Sequence, residues 1–261
     1  MNELGFNFQD TLVWPLRHHA PEDISLSSAQ ALLAEGIELR QPIQGTVFGT
    51  LLNDRRALQE LGDAVNQDPY KAPPKAPILY IKPRNTHCGH GAPVAVPAGT
   101  EGLLAGATLG LVIGQTACRV PESDALSYLA GYTIVNDLSV PHDSFYRPAL
   151  PCKARDGSCP IGPWIRSPAH IADPDRLAIT VRVDGQVRQQ ANTADLIRPI
   201  ARLIHDITEF MTLSPGDVVL AGVPAGAPLV RAGEVVSIEI EGLGVLDTPL
   251  IPTTQSSRNI V

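Results

Sequence analysis

The sequence predicts an α+β domain built on a curved or rolled mixed β-sheet with few flanking helices. Two observations predict it. Short apolar runs rich in β-branched residues and glycine recur along the chain, separated by proline and glycine clusters. Stretches with the three-to-four-residue spacing of an amphipathic helix are few. Residues 1–44 read as a lead-in segment, with a short helix over Ser28–Glu35 that Ser27 or Ser28 would cap. Residues 45–252 read as one domain and 253–261 as a polar tail.

Within that domain Gly45–Leu52 reads as a buried strand and Asn53–Asn66 as a polar helix. The proline-rich segment Pro69–Pro77 bars helix and delivers Ile78–Lys82 as a strand. Leu104–Ile113 is a further apolar strand, and Ser123–Leu129 a helix. Ile179–Gln190 alternates around Asp184-Gly185, the strongest short hairpin signal present. Thr193 would cap a helix over Ala194–Met211, with Leu196, Ile200, Leu203, Ile204 and Ile207 on one face. Strands over Val218–Leu220 and Val235–Ile240 follow, then polar sequence.

Composition narrows the function. Hydrophobic content of 44% with 18% charged residues is that of a globular protein with a real core. A net charge of -7 argues against broad binding to nucleic acid or anionic membrane, but a small anionic substrate remains compatible if local cations override the global sign. The cysteines Cys88, Cys118, Cys152 and Cys159 lack C-x-x-C spacing and are expected to be reduced thiols. The opening MNELGFNFQDTLVW has no secretory pattern, and Gly102–Gly114 falls short of the about 20 apolar residues a membrane helix needs. A cytoplasmic location is therefore expected.

The candidate chemistry concentrates in Gly131–Trp164. Asp137, His142, Asp143, Tyr146, Arg147, Lys153, Arg155 and Asp156 share a stretch broken by Pro141, Pro148 and Pro151, so loops pinned by short strands are expected there. His87-Cys88-Gly89-His90 invites a zinc site, but no second ligand cluster accompanies it and a non-metal loop is expected. His205 is expected to pack on its helix.

These residues also carry a resemblance. Gly131-Tyr132-Thr133 with Asn136-Asp137, then Lys153, Asp156 and Pro160-x-Gly162-Pro163-Trp164, resemble motifs of the fumarylacetoacetate hydrolase family. Asp184-Gly185, Thr193-x-Asp195, Pro215-Gly216-Asp217, Gly222-x-Pro224-x-Gly226 and Gly242-Leu243-Gly244 continue it in order, over roughly residues 45–250. Ser144–Ala149, Asp68–Lys75 and Ile81–Thr86 are similar to members that decarboxylate and isomerise an oxo-ene tricarboxylate in aromatic catabolism. Those enzymes are two homologous halves, fused or separate, and the resemblance is to the first half.

The resemblance implies a rolled-sheet fold and an Mg²⁺ or Mn²⁺ held by an E-x-E pair and an aspartate. Here the glutamate positions fall on Gly106 and Thr108, and Asp137 alone survives; Glu101 and Glu122 would need loop rearrangement to help. Metal binding is therefore expected to be weak or absent. The family's water-activating histidine falls on Ala57, with its partner at Glu60, which argues against carbon–carbon hydrolysis by a keto-acid hydrolase. Val223 replaces a threonine. The implied roles are Lys153 as the cation facing an enolate or carboxylate, Asp137 as its orienting partner, Arg147 as a carboxylate clamp, Tyr146 as hydrogen-bond donor or proton relay, and Gly222 in the substrate loop. The implied partners are an anionic oxo-ene carboxylate and a second copy or a paralogous metal-bearing half. The competing expectation is a non-catalytic subunit of such an assembly.

Overall fold

The computed structural model describes residues 42–142 and 149–253. A seven-stranded mixed sheet carries most of the chain's first half. It runs β2 (Ile78–Lys82), β1 (Val47–Leu51), β11 (Val218–Leu220), β6 (Ala107–Ile113), β7 (Leu129–Asn136), β8 (Cys159–Arg166), β3 (His87–Cys88). β1 pairs with β11, and β3 with β8, in parallel; the other pairs are antiparallel. β6 is buried on both faces, as its unbroken apolar run requires.

This sheet cannot be flat. β2 and β3 lie on opposite edges, six strand steps or roughly 29 Å apart if the sheet were planar. Residues 83–86 alone join them, and the step from Lys82 to His87 spans at most about 18 Å of extended chain. The strands must therefore curl until the two edges approach each other.

A second sheet, in the order β10 (Gln186–Asn192), β9 (Ala178–Val183), β13 (Val235–Ile240), β14 (Gly244–Pro252), β4 (Val94–Val96), packs against the first. Val181, Ile238 and Leu246 from this sheet join Leu109, Leu111 and Ile134 from the first in one buried cluster. β5 (Leu103–Leu104) and β12 (Leu229–Val230) form a small third sheet. Helices are short: α1 (Arg55–Glu60), α2 (Leu150–Lys153) and α3 (Ile200–Thr208), with 3-10 turns between strands. Among the described residues no helix is long and apolar enough to cross a membrane.

The expected fold class holds, as do the strands at 45–52, 78–82, 218–220 and 235–240 and the hairpin. Asp184 and Gly185 both take positive φ, 48° and 77°, as a tight two-residue turn demands. Several expectations need correction. The helix over Asn53–Asn66 is α-helical only over Arg55–Glu60 and continues as a 3-10 turn over Gly62–Asn66, and the strand over Leu104–Ile113 divides into β5 and β6. The helix over Ala194–Met211 is confined to Ile200–Thr208, because Pro199 stands at its N-terminus and Arg198, before a proline, is driven out of helical geometry. Asn192, not Thr193, caps the 3-10 turn Thr193–Asp195. Ser123–Leu129 is a 3-10 turn over Glu122–Tyr128. The polar sequence after Ile240 contains the nine-residue strand β14, whose Leu246, Thr248 and Leu250 alternate inward. The expected helix over Ser28–Glu35 and the tail 254–261 lie outside the described residues.

One close contact ties the sheet to the cleft. Gly49 on β1 faces Tyr80 on β2, and a Cβ at Gly49 would run into the Tyr80 ring. Gly49→Ala is expected to lower stability by about 1–3 kcal/mol, read as a lower urea midpoint; an unchanged midpoint would mean that the ring simply swings aside.

Candidate active site

The curl brings β2 against the chain that leaves β7. Tyr80 and Lys82, two residues apart on β2, both reach Asp137, although four strand steps separate their strands within the sheet. Lys82 Nζ lies 3.0 Å from Asp137 Oδ1, and both side chains are fully buried. That contact is an ion pair without hydrogen-bond alignment, since no aligned donor reaches Oδ1 among the described residues. Lys153, at the end of α2, donates from Nζ to Asp137 Oδ2 at 2.9 Å. The Tyr80 hydroxyl donates to the same oxygen, and its ring lies 4.6 Å from the Lys153 ammonium.

Electrostatics follow from this arrangement. Burial pushes the Asp137 carboxyl up, but the Lys82 and Lys153 charges, with hydrogen bonds from Tyr80 and Lys153, outweigh it and hold the group well below the carboxylate range. Tyr80 moves the other way: burial and then the Asp137 charge keep its hydroxyl protonated well above the ordinary range.

Beside this cluster a cleft of about 370 Å³ opens, lined by Tyr80, Asp137 and Lys153 on one side and by Val223 to Ala227 on another. Ala57, Glu60 and His142 also line it. α1 and the Val223–Ala227 loop are tied together. Asp54 Oδ1 caps α1 through Ala57 N at 2.8 Å and also accepts from Ala225 N at 3.2 Å. Asn53 reinforces the join by donating to Ala221 O at 2.8 Å. The cleft also contains Thr50, which is 3% exposed and whose hydroxyl has no hydrogen-bond partner among the described residues. A buried donor without a partner is costly unless a ligand satisfies it.

At the two positions where the resemblance places metal-binding glutamates, the protein itself occupies the space or the polar group. A Cβ at Gly106 would stand 2.5 Å from the Asp137 carbonyl oxygen and 3.1 Å from a Val223 methyl, so position 106 has no room for a side chain. Thr108 is fully buried, and its hydroxyl accepts from Gly222 N at 3.2 Å. Glu101 pairs with Arg231 and Glu122 with Arg202. Among the described residues no three His, Cys, Asp or Glu side chains gather as a ligand set.

Of the residues singled out from sequence, Asp137 and Lys153 meet in the cleft. Gly222 is not among its lining residues: its amide is spent on Thr108, and the cleft-lining part of that loop begins at Val223. Tyr146 and Arg147 lie outside the described residues. His87 bonds to Lys82 O at 2.9 Å, Cys88 to Gly157 O at 3.2 Å, and His90 accepts from Asp247 N at 3.2 Å, so each points at a different protein partner. His205 Nδ1 meets Val120 O at 2.8 Å, a packing contact. All four cysteines are free thiols. Sequence reasoning missed Tyr80, Lys82 and Thr50. The first two sit on a strand recognised as such, and their alternation onto one face was the available signal.

This chain belongs to the fumarylacetoacetate hydrolase family: residues 46–251 match the model described as Fumarylacetoacetate (FAA) hydrolase C-terminal. It is 42% identical over 217 residues to the 4-hydroxyphenylacetate degradation bifunctional isomerase/decarboxylase of Salmonella dublin, covering 83% of this chain and 49% of that protein. The chain thus spans about half the length of the curated relatives of this kind. Its fold is similar to the 5-carboxymethyl-2-hydroxymuconate delta-isomerase from Mycobacterium smegmatis, at TM-score 0.70 and 31% identity, covering 84% of this chain and 83% of that one. It is also similar to the fumarylpyruvate hydrolase from Pseudomonas aeruginosa in complex with Mn²⁺ and pyruvate, at TM-score 0.68 and 26% identity, covering 84% and 94%. Family members thus include isomerases, decarboxylases and metal-bound hydrolases.

Asp137→Asn would leave two buried ammonium groups facing a neutral amide, and is expected to cost about 3–5 kcal/mol of stability at pH 7. Because the folded carboxyl lies below its ordinary value of 3.8, the stability it contributes is complete above that pH and lost as pH falls through the depressed value. Urea titrations of wild type and variant should therefore differ equally at pH 7 and pH 5 and converge as pH falls below 3.8; a gap that stays constant as pH falls through and below that value would place the folded carboxyl at its ordinary value.

Proposed function

We propose that the chain is an enzyme that decarboxylates 5-oxopent-3-ene-1,2,5-tricarboxylate, isomerises the resulting 2-hydroxyhepta-2,4-diene-1,7-dioate, or does both, in cytoplasmic aromatic catabolism. The observation that carries this reading is the Lys153 ammonium, held by Asp137 at the wall of a cleft whose described lining carries one further carboxylate, Glu60. It agrees with the activities named for the bifunctional relatives, of which this chain matches one half.

In decarboxylation a carbon–carbon bond breaks, CO₂ leaves, and the electron pair runs through the double bond onto the oxo oxygen, giving a dienolate. A fixed cation beside that oxygen stabilises the charge where it develops. Lys153 supplies it, and the unpartnered Thr50 hydroxyl supplies a neutral donor to the same ligand. Protonation of that oxygen gives the 2-hydroxydiene and completes the step, and isomerisation then moves the proton from the enol oxygen to carbon over the same dienolate. Tyr146 is assigned to that proton transfer and Arg147 to clamping a distal carboxylate.

A divalent ion does not suit this donor set. Hard cations take several oxygen ligands, whereas among the described residues no set of three ligating side chains gathers here, and the Asp137 carboxylate is already held by two ammonium groups. A cation placed beside Asp137 would face both charges at close range. We therefore assign this chain a site that works by fixed ammonium charge, although metal use is a property of its relatives.

A second reading has an observation of its own. The closed position 106, with a match to only half of the bifunctional relatives, also suits a subunit that acts only beside a paralogous metal-bearing half. Assays of the purified chain, alone and mixed with such a half, with Mg²⁺ and with chelator, separate the two. Activity of the chain alone, unaffected by chelator and cut by Lys153→Met about a hundredfold or more, is the expected result. Activity confined to the mixture supports the subunit reading, and an unimpaired Lys153→Met removes Lys153 from the mechanism.

A further inference from the structure

We infer that Lys82 is a positioning residue that keeps the cleft cationic by occupying Asp137 from behind, so that Lys153 faces the substrate with its charge uncompensated. The inference rests on the proposed function in one respect, that the occupant of the cleft is an anion.

Two ammonium groups share one carboxylate, so the cluster carries one net positive charge. The groups are not equivalent. The Lys82 side chain is 0% exposed and absent from the cleft lining, whereas Lys153 is 12% exposed and lines it. Without Lys82, Asp137 and Lys153 would form a neutral pair, and an arriving carboxylate would meet as much negative as positive charge. With Lys82 in place the surplus charge sits on the side where the ligand arrives. Low dielectric around buried groups magnifies the difference.

Lys82 also fixes where that charge stands. Its ammonium donates to Lys153 O at 2.6 Å, to Ser158 O and Oγ at 3.1 Å each, and to Leu138 O at 3.2 Å. One group on β2 therefore joins the chain leaving β7, the end of α2 and the entry to β8. Lys153 is held at its backbone by Lys82 and at its Nζ by Asp137, which Lys82 itself contacts.

Oxalate binding to metal-depleted protein, measured by titration calorimetry, tests the charge role without requiring turnover. Lys82→Met is expected to weaken oxalate on the order of ten- to a hundredfold. The double variant Lys82→Met/Asp137→Asn restores one net positive charge and is expected to recover most of that loss. A purely structural role predicts no recovery. Lys82→Met binding oxalate as wild type does, or a folded double variant no better than the single one, overturns the inference. Should Lys82→Met fail to fold, the double variant, which buries no unpaired carboxylate, is compared directly with wild type: affinity within a few-fold supports the inference, and a loss beyond about tenfold contradicts it. Turnover of the tricarboxylate on the same preparations keeps the two claims apart. Wild type that shows the oxalate pattern but no turnover loses the functional reading alone, and turnover with oxalate binding indifferent to Lys82 loses the inference alone.

Discussion

The ion pair between Lys82 and Asp137 is the contact on which the rest of the site depends. Burying a carboxylate is strongly unfavourable unless opposite charge and hydrogen bonds meet it. Here that requirement is satisfied from two sides of a curled sheet. β2 supplies Tyr80 and Lys82, the last residue of α2 is Lys153, and the carboxylate follows directly on β7. The curl is forced by connectivity, because residues 83–86 must carry the chain from one edge of the sheet to the other. A flat sheet would hold β2 and β7 about 19 Å apart, and the cluster would not exist.

The same cluster gives the cleft a polar wall, although the two positions where the resemblance would put metal-binding glutamates hold Gly106 and Thr108. A metal site needs several hard oxygen ligands converging on one point. Here the first of those positions is packed shut by the Asp137 carbonyl and the Val223 methyl, and the hydroxyl at the second is turned onto the Gly222 amide. What remains is one carboxylate with ammonium groups already on both oxygens. Val223, which looks in sequence like a lost hydroxyl, is better understood as part of the packing that closes position 106. Thr50 offers the cleft a hydroxyl from a different strand.

Much of this was legible in the sequence, and the misses have physical causes. The apolar runs announced most strands, the ordered motifs announced the family, and the roles that resemblance implied paired Asp137 with Lys153. Lys82 and Tyr80 were read only as parts of a strand, because nothing local reveals that two alternating residues on an edge strand will meet a carboxylate four strands away. The helix after Thr193 was overextended because its apolar spacing continues through Pro199, where backbone geometry stops it. Strand β14 was missed because Asp247, Thr248 and Pro249 dilute its composition while its inward alternation persists. Glu60 and His142, unrelated in sequence, share the cleft wall for the same long-range reason.

The most direct test of a cluster neutralised by lysine is an anomalous difference map at the manganese edge, from crystals grown in millimolar Mn²⁺. Fixed ammonium charge around Asp137 predicts no peak within coordination distance of its carboxylate, with Lys82 and Lys153 still in contact with its two oxygens. A fully occupied, octahedrally coordinated ion at Asp137, with either lysine displaced, would contradict it.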